Sequence, residues 1–240
     1  MHPDDTIQLK TYYSERWRTV VQHPIQSKAT ITLLASISPQ ILQVDLQTEE
    51  AFTHTAGQWL DLSVFIQGET KVGGYTLCTA AGTNQRIELA IRDSTHPVSR
   101  WIHHQAKLGD QVTVRGGCGK CTYIPQEGDH ILFIVGGIGI TPVISMLRSI
   151  QLAGLAIKHT LLYSVKRAVD ILYQQELEQY SSIHYRYTNA QGRWKPQVLR
   201  DHITEKTIIY LFGPPEMIKE WSNYLSAQQL QDRLHFERWW

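Results

Sequence analysis

The sequence is poor in the residues and segments that define several large classes of protein. It contains three cysteines in 240 residues, too few for a secreted disulfide framework or for the four thiolates of an ordinary plant-type iron–sulfur cluster. No apolar run approaches the roughly 20 residues of a membrane helix, and the first ten residues lack the apolar core of a signal peptide. These absences predict a cytoplasmic protein without a membrane span.

Neither sign of charge is in excess. Residues 1–125 carry 11 basic and 11 acidic side chains, and residues 126–240 carry 12 and 11. Proteins that bind nucleic acids usually show a basic excess or stripe, so we expect no nucleic-acid partner. Hydrophobic residues at 42% and charged residues at 19% are those of an ordinary folded chain, and the partners must therefore be inferred from individual sites.

The first half of the chain has the pattern of short antiparallel strands. Alternating or β-branched runs are separated by turn signals such as Ser38-Pro39-Gln40. The spacing also predicts a helix over Val98–Lys107. Many short strands with a single helix favour a small closed barrel. The predicted strands are Ala29–Ile37, Ile41–Leu46, Trp59–Val64, Ile87–Arg92 and Gln111–Arg115.

After Pro125 the pattern changes to strands that alternate with helices, which is typical of a parallel sheet. We therefore predict a fold of the β-barrel plus α/β kind with two domains, 1–125 (of which 1–25 are a lead-in) and 126–240. The predicted strands of the second domain are Ile131–Val135, His159–Ser164, Ile183–Tyr187 and Thr207–Phe212.

A glycine turn, Gly136-Gly137-Ile138-Gly139-Ile140-Thr141-Pro142, follows the first strand of the second domain. Thr141 is predicted as the N-cap of a helix and Pro142 as its first residue. The glycines allow a ligand close to the backbone, and the helix N-terminus favours a phosphate. The turn is not the G-x-G-x-x-G fingerprint, since Pro142 stands at the third glycine position. A tight strand-to-helix turn without a ligand is the alternative.

A second turn, Gly213-Pro214-Pro215, follows the strand Thr207–Phe212. Two such turns at the carboxyl ends of parallel strands would flank one crevice, the place where open α/β sheets bind ligands. The second turn therefore makes a nucleotide site more plausible than the first turn does alone.

The residues after the strand His159–Ser164 bear on the choice between NADH and NADPH. Lys166 and Arg167 lie where the adenosine ribose of a dinucleotide is expected, and no acidic residue follows until Asp170. The two cations could bind a 2′-phosphate, but Thr188-Asn189 adds no further cation after the next strand. We predict NADH as the donor and leave NADPH open.

Four motifs occur in a fixed order along the chain: Gly74-Tyr75-Thr76-Leu77-Cys78-Thr79, the glycine turn 136–142, Gly213-Pro214-Pro215 and Phe236-Glu237-Arg238-Trp239-Trp240. Together they resemble the ferredoxin–NADP reductase superfamily, most closely the oxidoreductase NAD-binding domain-containing protein 1 group, which also ends in a Trp-Trp pair. The resemblance covers roughly residues 25–240. It implies an FAD-binding barrel followed by a nicotinamide-dinucleotide domain.

By this resemblance, Tyr75 would pack on the flavin, Thr76 would hydrogen-bond near flavin N5, and Ser99 would hold the flavin pyrophosphate. Trp240, with Trp239 packed behind it, would be a movable lid, and Glu237 would influence proton movement. The predicted catalytic set is Thr76, Glu237 and Trp240, and no metal site is predicted. The predicted FAD-binding set is Tyr75, Thr76, Leu77, Cys78, Arg92, Val98, Ser99, Trp239 and Trp240. The predicted dinucleotide-binding set, from the turns and the resemblance together, is Gly136, Gly137, Gly139, Thr141, Ser164, Lys166, Arg167, Phe212, Gly213, Pro214 and Met217.

Three positions depart from the superfamily pattern. Gly73 stands where an arginine is usual, and Arg92 is the candidate for the missing cation. Phe212 replaces a cysteine, which excludes a catalytic thiol there, and its ring would help to shape the nicotinamide pocket. His96 replaces a glycine three residues before Ser99, which bears on the contact with the pyrophosphate.

The resemblance implies an FAD-dependent NAD(P)H oxidoreductase that passes a hydride to FAD and then electrons to an unidentified acceptor, a protein, a quinone or a free flavin. The alternative is a flavin- or nucleotide-binding electron-transfer subunit or sensor without turnover of its own. The pair Cys118 and Cys121 forms a C-x-x-C, for which a reduced loop pair is favoured over a redox or metal role.

Overall fold

The structure, a computed structural model, describes residues 25–124, 128–180 and 182–237. The chain forms two compact units. The first comprises the described residues up to Tyr123 together with Thr141–Leu155, and the second comprises Ile124–Ile140 together with the described residues from Ala156 onward. Apart from Ile25, the predicted lead-in 1–25 lies outside the described residues.

The first unit is built on an antiparallel six-stranded sheet, with the strand order β4-β3-β6-β1-β2-β5. Leu77, directly after β4, bridges to Leu89 of β5, so the two ends of the order meet. This confirms the predicted antiparallel barrel. The strands are β1 (Ile25–Ser38), β2 (Ile41–His54), β3 (Trp59–Ile66), β4 (Glu69–Thr76), β5 (Gly82–Arg92) and β6 (Gln111–Cys118).

Alternation along the strands fills the core of this unit. In β3, Leu60, Leu62 and Val64 are buried while the residues between them are partly exposed, because successive side chains of a strand point to opposite faces. Phe52 and Leu77 complete the same apolar cluster. Burial of one face of each strand thus holds the barrel together.

The strand β4 was not predicted. It begins after a two-residue turn in which Gln67 and Gly68 both have positive φ, 51° and 86°, as tight hairpins require. Gly73 and Gly74 weaken its strand signal, but all eight of its residues pair with β3. Pairing with a neighbour has therefore overridden a weak local preference.

Helix α1 (Pro97–His104) connects β5 to β6, with Pro97 at its first position. The prediction of a helix here is confirmed, although it begins one residue earlier and ends three residues earlier than expected. The amides of Gln105 and Ala106 both donate to Trp101 O, which closes the last turn.

The second unit is built on a five-stranded sheet with the order β11-β10-β7-β8-β9, and every pair in it is parallel. This confirms the predicted parallel sheet, with the edge strand β11 as an unpredicted addition. The strands are β7 (His130–Gly136), β8 (Lys158–Val165), β9 (Ile183–Tyr187), β10 (Thr207–Phe212) and β11 (Leu234–Phe236). The α-helices after β7 are α2 (Ile140–Leu152), α3 (Gln174–Leu177), α4 (Thr188–Gln191) and α5 (Pro215–Ala227).

The strand order reverses between β7 and β10, because the chain continues from β7 to β8 on one side while β10 pairs on the other. Such a reversal opens a crevice at the carboxyl ends of the two strands. The helix α5 packs its Trp221 and Leu225 against buried residues of the same strands. Among the described residues, no helix is both long and apolar enough to cross a membrane.

Candidate functional site

The glycine turn leaves β7 as a single 3₁₀ turn, Gly137–Gly139, which leads directly into α2 at Ile140. Gly137 has φ of 56°, a conformation that favours glycine. The prediction that Thr141 is the N-cap and Pro142 the first helical residue is wrong, since both lie inside the helix. The 3₁₀ turn formed by Gly137–Gly139 starts the helical backbone before Thr141. The buried Thr141 therefore lies in the first turn of α2.

The glycine turn and the second turn of the crevice lie in contact. A Cβ atom on Gly139 would lie 2.7 Å from the carbonyl oxygen of Phe212, and a Cβ atom on Gly136 would lie 2.9 Å from Pro214 Cδ. The Sδ atom of Met217 lies 2.8 Å and 2.9 Å from the Cβ positions of Gly136 and Gly213. The structure thus brings these predicted residues together, and the absence of side chains at the glycines permits the close approach.

Phe212 and Glu237 lie at the carboxyl ends of two neighbouring strands, β10 and β11. Phe212 is fully buried, with its ring stacked on Tyr210 at 6.3 Å between centroids, so its side chain packs in the interior. The register pairs Leu211 with Phe236, which places Glu237 one position further on, beside Phe212. Glu237 is half-buried. The predicted lid residues Trp239 and Trp240 lie outside the described residues.

At the end of β8, Ser164 is paired in register with Gly136, so it lies beside the glycine turn. Lys166 and Arg167 are exposed. The side chain of Arg167 is bonded to Asp170, with Nη2 donating to Oδ1 at 2.9 Å and Nε to Oδ2 at 3.2 Å. These hydrogen bonds lower the pKa of Asp170 below its usual range.

In the first unit, Tyr75 lies half-buried on β4, and burial raises its pKa to about 12, so its hydroxyl is neutral near pH 7. A Cβ atom on Gly73 would lie 2.8 Å from the Tyr75 hydroxyl and 3.0 Å from Cε1 of His96. Two of the three departures from the superfamily, Gly73 and His96, therefore lie side by side against this tyrosine. A larger side chain at position 73 would displace one of the two rings.

The N-terminus of α1 presents two backbone donors. Pro97 has no N–H, and the first bond of the helix is donated by Arg100 to His96 O at 3.0 Å, so the amides of Val98 and Ser99 have no acceptor within the helix. The side chain of His96 makes no capping bond. Unpaired amides at a helix N-terminus bind anions.

The hydroxyl of Ser99 donates to the carbonyl oxygen of Arg92. This bond joins α1 to the end of β5 and places the exposed Arg92 next to the helix N-terminus. The Ser99 hydroxyl is thereby engaged, and its backbone amide is the group available to a phosphate.

Backbone hydrogen bonds fix the end of β4 and the two residues that follow it. Thr76 is half-buried and paired with Trp59. Leu77 and Cys78 are fully buried, and their amides donate to Gln58 O at 3.0 Å and to Glu88 O at 2.9 Å. The side chains of Leu77 and Cys78 thus serve the core, whereas those of Tyr75 and Thr76 remain partly accessible.

Sequence analysis missed three polar residues of α2 that fasten this segment. Ser145 Oγ donates to Thr79 O at 2.7 Å, Arg148 Nη1 donates to Cys78 O at 2.9 Å, and Ser149 Oγ accepts from Ala81 N at 2.8 Å. Both serines are fully buried. Their spacing of three and four residues places them on one helix face, which was the signal available in the sequence.

Cys118 is half-buried and Cys121 is buried, and neither is in a disulfide. Across residues 25–124, 128–180 and 182–237, no group of three His, Cys, Asp or Glu side chains could hold a metal ion.

Two family models match the chain. The oxidoreductase FAD-binding domain matches residues 27–123, and the oxidoreductase NAD-binding domain matches residues 133–223. With the barrel and the parallel sheet, they define a ferredoxin reductase-like oxidoreductase that binds FAD and a nicotinamide dinucleotide, as the resemblance implied.

The chain belongs to the family of oxidoreductase NAD-binding domain-containing protein 1. It is 31% identical to the protein of that name from Bos taurus over an alignment of 264 positions including gaps, which covers 94% of this chain and 84% of the relative. In fold it is similar to the FAD/NAD-binding domain of a nitric oxide dioxygenase from Vibrio cholerae (TM-score 0.76, 21% identity, 88% of this chain and 97% of the other). A ferredoxin NADP⁺ reductase from Neisseria gonorrhoeae, with bound FAD and NADP, is also similar (TM-score 0.76, 18% identity, 88% and 98%).

Proposed function

We propose that this protein is an FAD-dependent oxidoreductase that takes a hydride from NADH and delivers electrons to a separate acceptor. Membership of the family implies flavin-dependent NAD(P)H oxidoreduction. The observation that carries the proposal is that each matched domain contains a helical start without a side-chain cap, at α1 in the first unit and at the glycine turn of the second, and such starts favour a phosphate.

The residues at the start of α1 fit the flavin cofactor. The amides of Val98 and Ser99 would bind its pyrophosphate, the exposed Arg92 would add a positive charge, and the neutral Tyr75 would offer an aromatic face to the ring system. Bound FAD supplies the chemistry that the chain lacks, acceptance of a hydride at N5 and release of electrons singly or in pairs.

The crevice of the second unit fits a nicotinamide dinucleotide. The amides of Gly137 and Gly139 would bind the phosphates, while Gly213 and Pro214 would position the nicotinamide. Met217 lies against both Gly136 and Gly213 and so packs the two turns together. These residues would bind and orient the dinucleotide. In cofactor enzymes the protein contributes binding and orientation, while the cofactor carries out the chemistry.

We assign three further roles. The hydroxyl of Thr76 would donate a hydrogen bond at flavin N5, and the carboxylate of Glu237 would hold a proton close to the end of β11. Trp240, in the segment outside the described residues, would cover the flavin until the nicotinamide displaces it.

The proposal names NADH because the arginine nearest to the expected ribose is already bonded to Asp170, which leaves Lys166 as the remaining cation of the pair. The acceptor is a protein, a quinone or a free flavin, because the chain itself has too few cysteines for an ordinary plant-type cluster.

Anaerobic titration of the purified yellow protein with NADH and NADPH in parallel tests the proposal. Rapid loss of the visible flavin absorbance with NADH is the expected result, followed by its return when an acceptor is added. The second candidate, an electron-transfer subunit or sensor, is favoured by Gly73 and Phe212, which stand where the superfamily usually has arginine and cysteine. It predicts a bound flavin that neither dinucleotide reduces.

A further inference from the structure

The amino-terminal edge of the parallel sheet, opposite to the edge with the two turns, carries a row of polar side chains. His130, the first residue of β7, lies in this row between two buried threonines. Its Nδ1 lies 3.0 Å from Thr207 Oγ1, and its Nε2 lies 3.0 Å from Thr160 Oγ1. A hydroxyl can donate or accept a hydrogen bond, so the row accommodates both the neutral and the protonated imidazole. The charge of His130 is therefore decided by its electrostatic surroundings.

Two further histidines lie near His130. The register of β7, β8 and β9 places His184 on the same face of the sheet as His130, two strands away. The ring of His202, directly after the 3₁₀ helix Pro196–Asp201, lies 4.9 Å from the ring of His184 between centroids. His202 also acts electrostatically on His130. The three imidazoles thus form one cluster at this edge.

His202 belongs to the connection between α4 and β10, residues 194–206, which we call the connecting segment. Leu199 of this segment is buried in the apolar cluster on the same face of the sheet, and Trp194 is partly buried against that cluster. Short segments of this kind open locally at a lower free energy than the whole domain. The contact between His202 and His184 joins the connecting segment to β9, so a change of charge at this contact bears on local opening.

Acid charges these rings against their surroundings. Burial, followed by the charges of His159 and His202, lowers the pKa of His130, and burial, followed by the charge of His184, lowers the pKa of His202. A histidine with a lowered pKa in the closed state binds its proton more readily in the open state. The closed state is therefore fully stable above the ordinary histidine pKa of about 6.5, and stability is lost as the pH falls below it.

The neighbouring carboxylates do not offset this effect. Asp129 raises the pKa of His130 and Asp201 raises that of His202, but each contributes less than burial does. Asp129 also lies 3.5 Å from Lys206, which balances its charge. The other charged or titratable groups on the elements packed around the cluster are Lys158, His159, Glu205 and Arg233.

We propose that His130, His184 and His202 form an acid-sensitive latch, which holds the connecting segment against the sheet at neutral pH and releases it in acid. With neutral rings, His202 packs on His184 and Leu199 stays buried. Protonated rings at this separation repel each other, and the segment opens while the central strands remain paired. Histidine is the side chain whose charge changes in the physiological pH range. The latch lies at the opposite edge of the sheet from the two turns, so it is independent of the proposed function.

Hydrogen–deuterium exchange, measured residue by residue at about pH 7 and about pH 5 and corrected for the intrinsic exchange rates, tests the latch. We expect the amides of the connecting segment to exchange about tenfold faster in acid, the size of one repulsion between charges at this distance. The amide of His202, which donates to Leu199 O at 2.9 Å, is the most direct reporter. The amides of the central strand β10 should keep their rate within about twofold.

The variant His184→Gln removes one charge of the latch at an exposed position, so the fold is preserved. It should reduce the acceleration in acid to about threefold or less. The matched control is His104→Gln, which removes an exposed histidine of the first unit that lies 3.4 Å from Asp93. The control should show the full acceleration of the unmodified protein.

Three results overturn the proposal. The first is exchange in the connecting segment that does not accelerate in acid, and the second is an acceleration in His184→Gln as large as in the unmodified protein. The third is an equal acceleration in β10, because the opening would then involve the whole sheet.

Discussion

Arg148 donates a hydrogen bond from Nη1 to the carbonyl oxygen of Cys78 at 2.9 Å, and the same nitrogen lies 3.0 Å from Glu88 Oε2. The guanidinium thus ties α2 to the segment that follows the tyrosine of β4. Glu88 is mostly buried, and its second oxygen, Oε1, has no hydrogen-bond partner. The carboxylate therefore depends on Arg148 for its direct ion pair, while Arg86 acts on it from a greater distance.

We expect Arg148→Met to lower the free energy of unfolding by about 2 kcal/mol, because a mostly buried carboxylate loses its charged partner. Adding Glu88→Gln should recover roughly half of this loss, since the unpaired charge is then removed. Urea unfolding of the three proteins measures both effects. Lys71→Met is the matched control, because Lys71 pairs with the exposed Glu69, and the loss of an exposed pair should leave the free energy of unfolding almost unchanged. Equal losses in the two single variants would contradict this account.

Replacement of Tyr75 tests the flavin site. Tyr75→Ala removes a large aromatic face and should weaken FAD binding by roughly tenfold to a hundredfold, whereas Tyr75→Phe keeps that face and should change it by less than about threefold. The affinities for FAD are obtained by diluting each protein and monitoring the release of FAD by its fluorescence. Phe65→Ala on the neighbouring strand removes an aromatic ring that is 73% exposed and serves as the control. Unchanged FAD affinity in Tyr75→Ala would remove Tyr75 from the site.

Gly139→Ala tests the contact between the two turns. Its Cβ atom would lie 2.7 Å from the carbonyl oxygen of Phe212, so the backbone must shift, at a cost of about 2–3 kcal/mol. We expect weaker NAD⁺ binding and a lower unfolding midpoint. Gly154→Asn is the control, because its surroundings are open and its φ is +61°, so the cost should stay below about 1 kcal/mol. Unaltered NAD⁺ affinity in Gly139→Ala would show that the glycine serves packing alone.

His54 predicts a specific loss of stability in acid. The side chain is buried, Nε2 donates to Thr79 O at 3.1 Å, and Nδ1 has no partner. Burial lowers its pKa from 6.5 to about 4. Above pH 6.5 the imidazole is neutral in both states. As the pH falls towards 4, the unfolded chain binds the proton first, so stability is lost, by about 3 kcal/mol in total.

The variant His54→Gln measures the contribution of His54 to the loss of stability in acid. Urea unfolding at about pH 7 and pH 4.5 should show a loss that is about 2–3 kcal/mol smaller in the variant than in the unmodified protein. His130, His159 and His202 also have a lowered pKa, and they are common to both proteins, so the difference isolates His54. If the free energy of unfolding fell by the same amount with pH in both proteins, protonation of His54 would not be the cause of the loss.

The sequence was sufficient for the order and type of most elements, because the barrel strands alternate and the parallel strands are continuous apolar runs. It was insufficient for β4, whose glycines obscure a strand that pairing with β3 stabilises. It also placed Thr141 at a helix start, since local capping preferences cannot show that a 3₁₀ turn of glycines begins the helix earlier.

The candidate site was predictable where a motif is local, as in the glycine turn and in Tyr75 with its neighbours. Contacts between distant segments were not. The proximity of Gly73 and His96 joins two positions 23 residues apart, and the bond between Arg148 and Cys78 joins two that are 70 apart. Such contacts follow from the closure of the barrel and from the docking of α2, neither of which has a signal within one segment.

Because Thr141–Leu155 belongs to the first unit although Ile124–Ile140 precedes it in the chain, that unit is discontinuous in sequence. A fragment that stops at Tyr123 would leave the carbonyl oxygens of Cys78 and Thr79 without the donors that α2 provides. Excision or exchange of residues up to Tyr123 as one continuous segment would therefore separate the first unit from α2. Successful chimaeras should instead carry this helix along, either by permutation of the chain or by grafting it through a new linker.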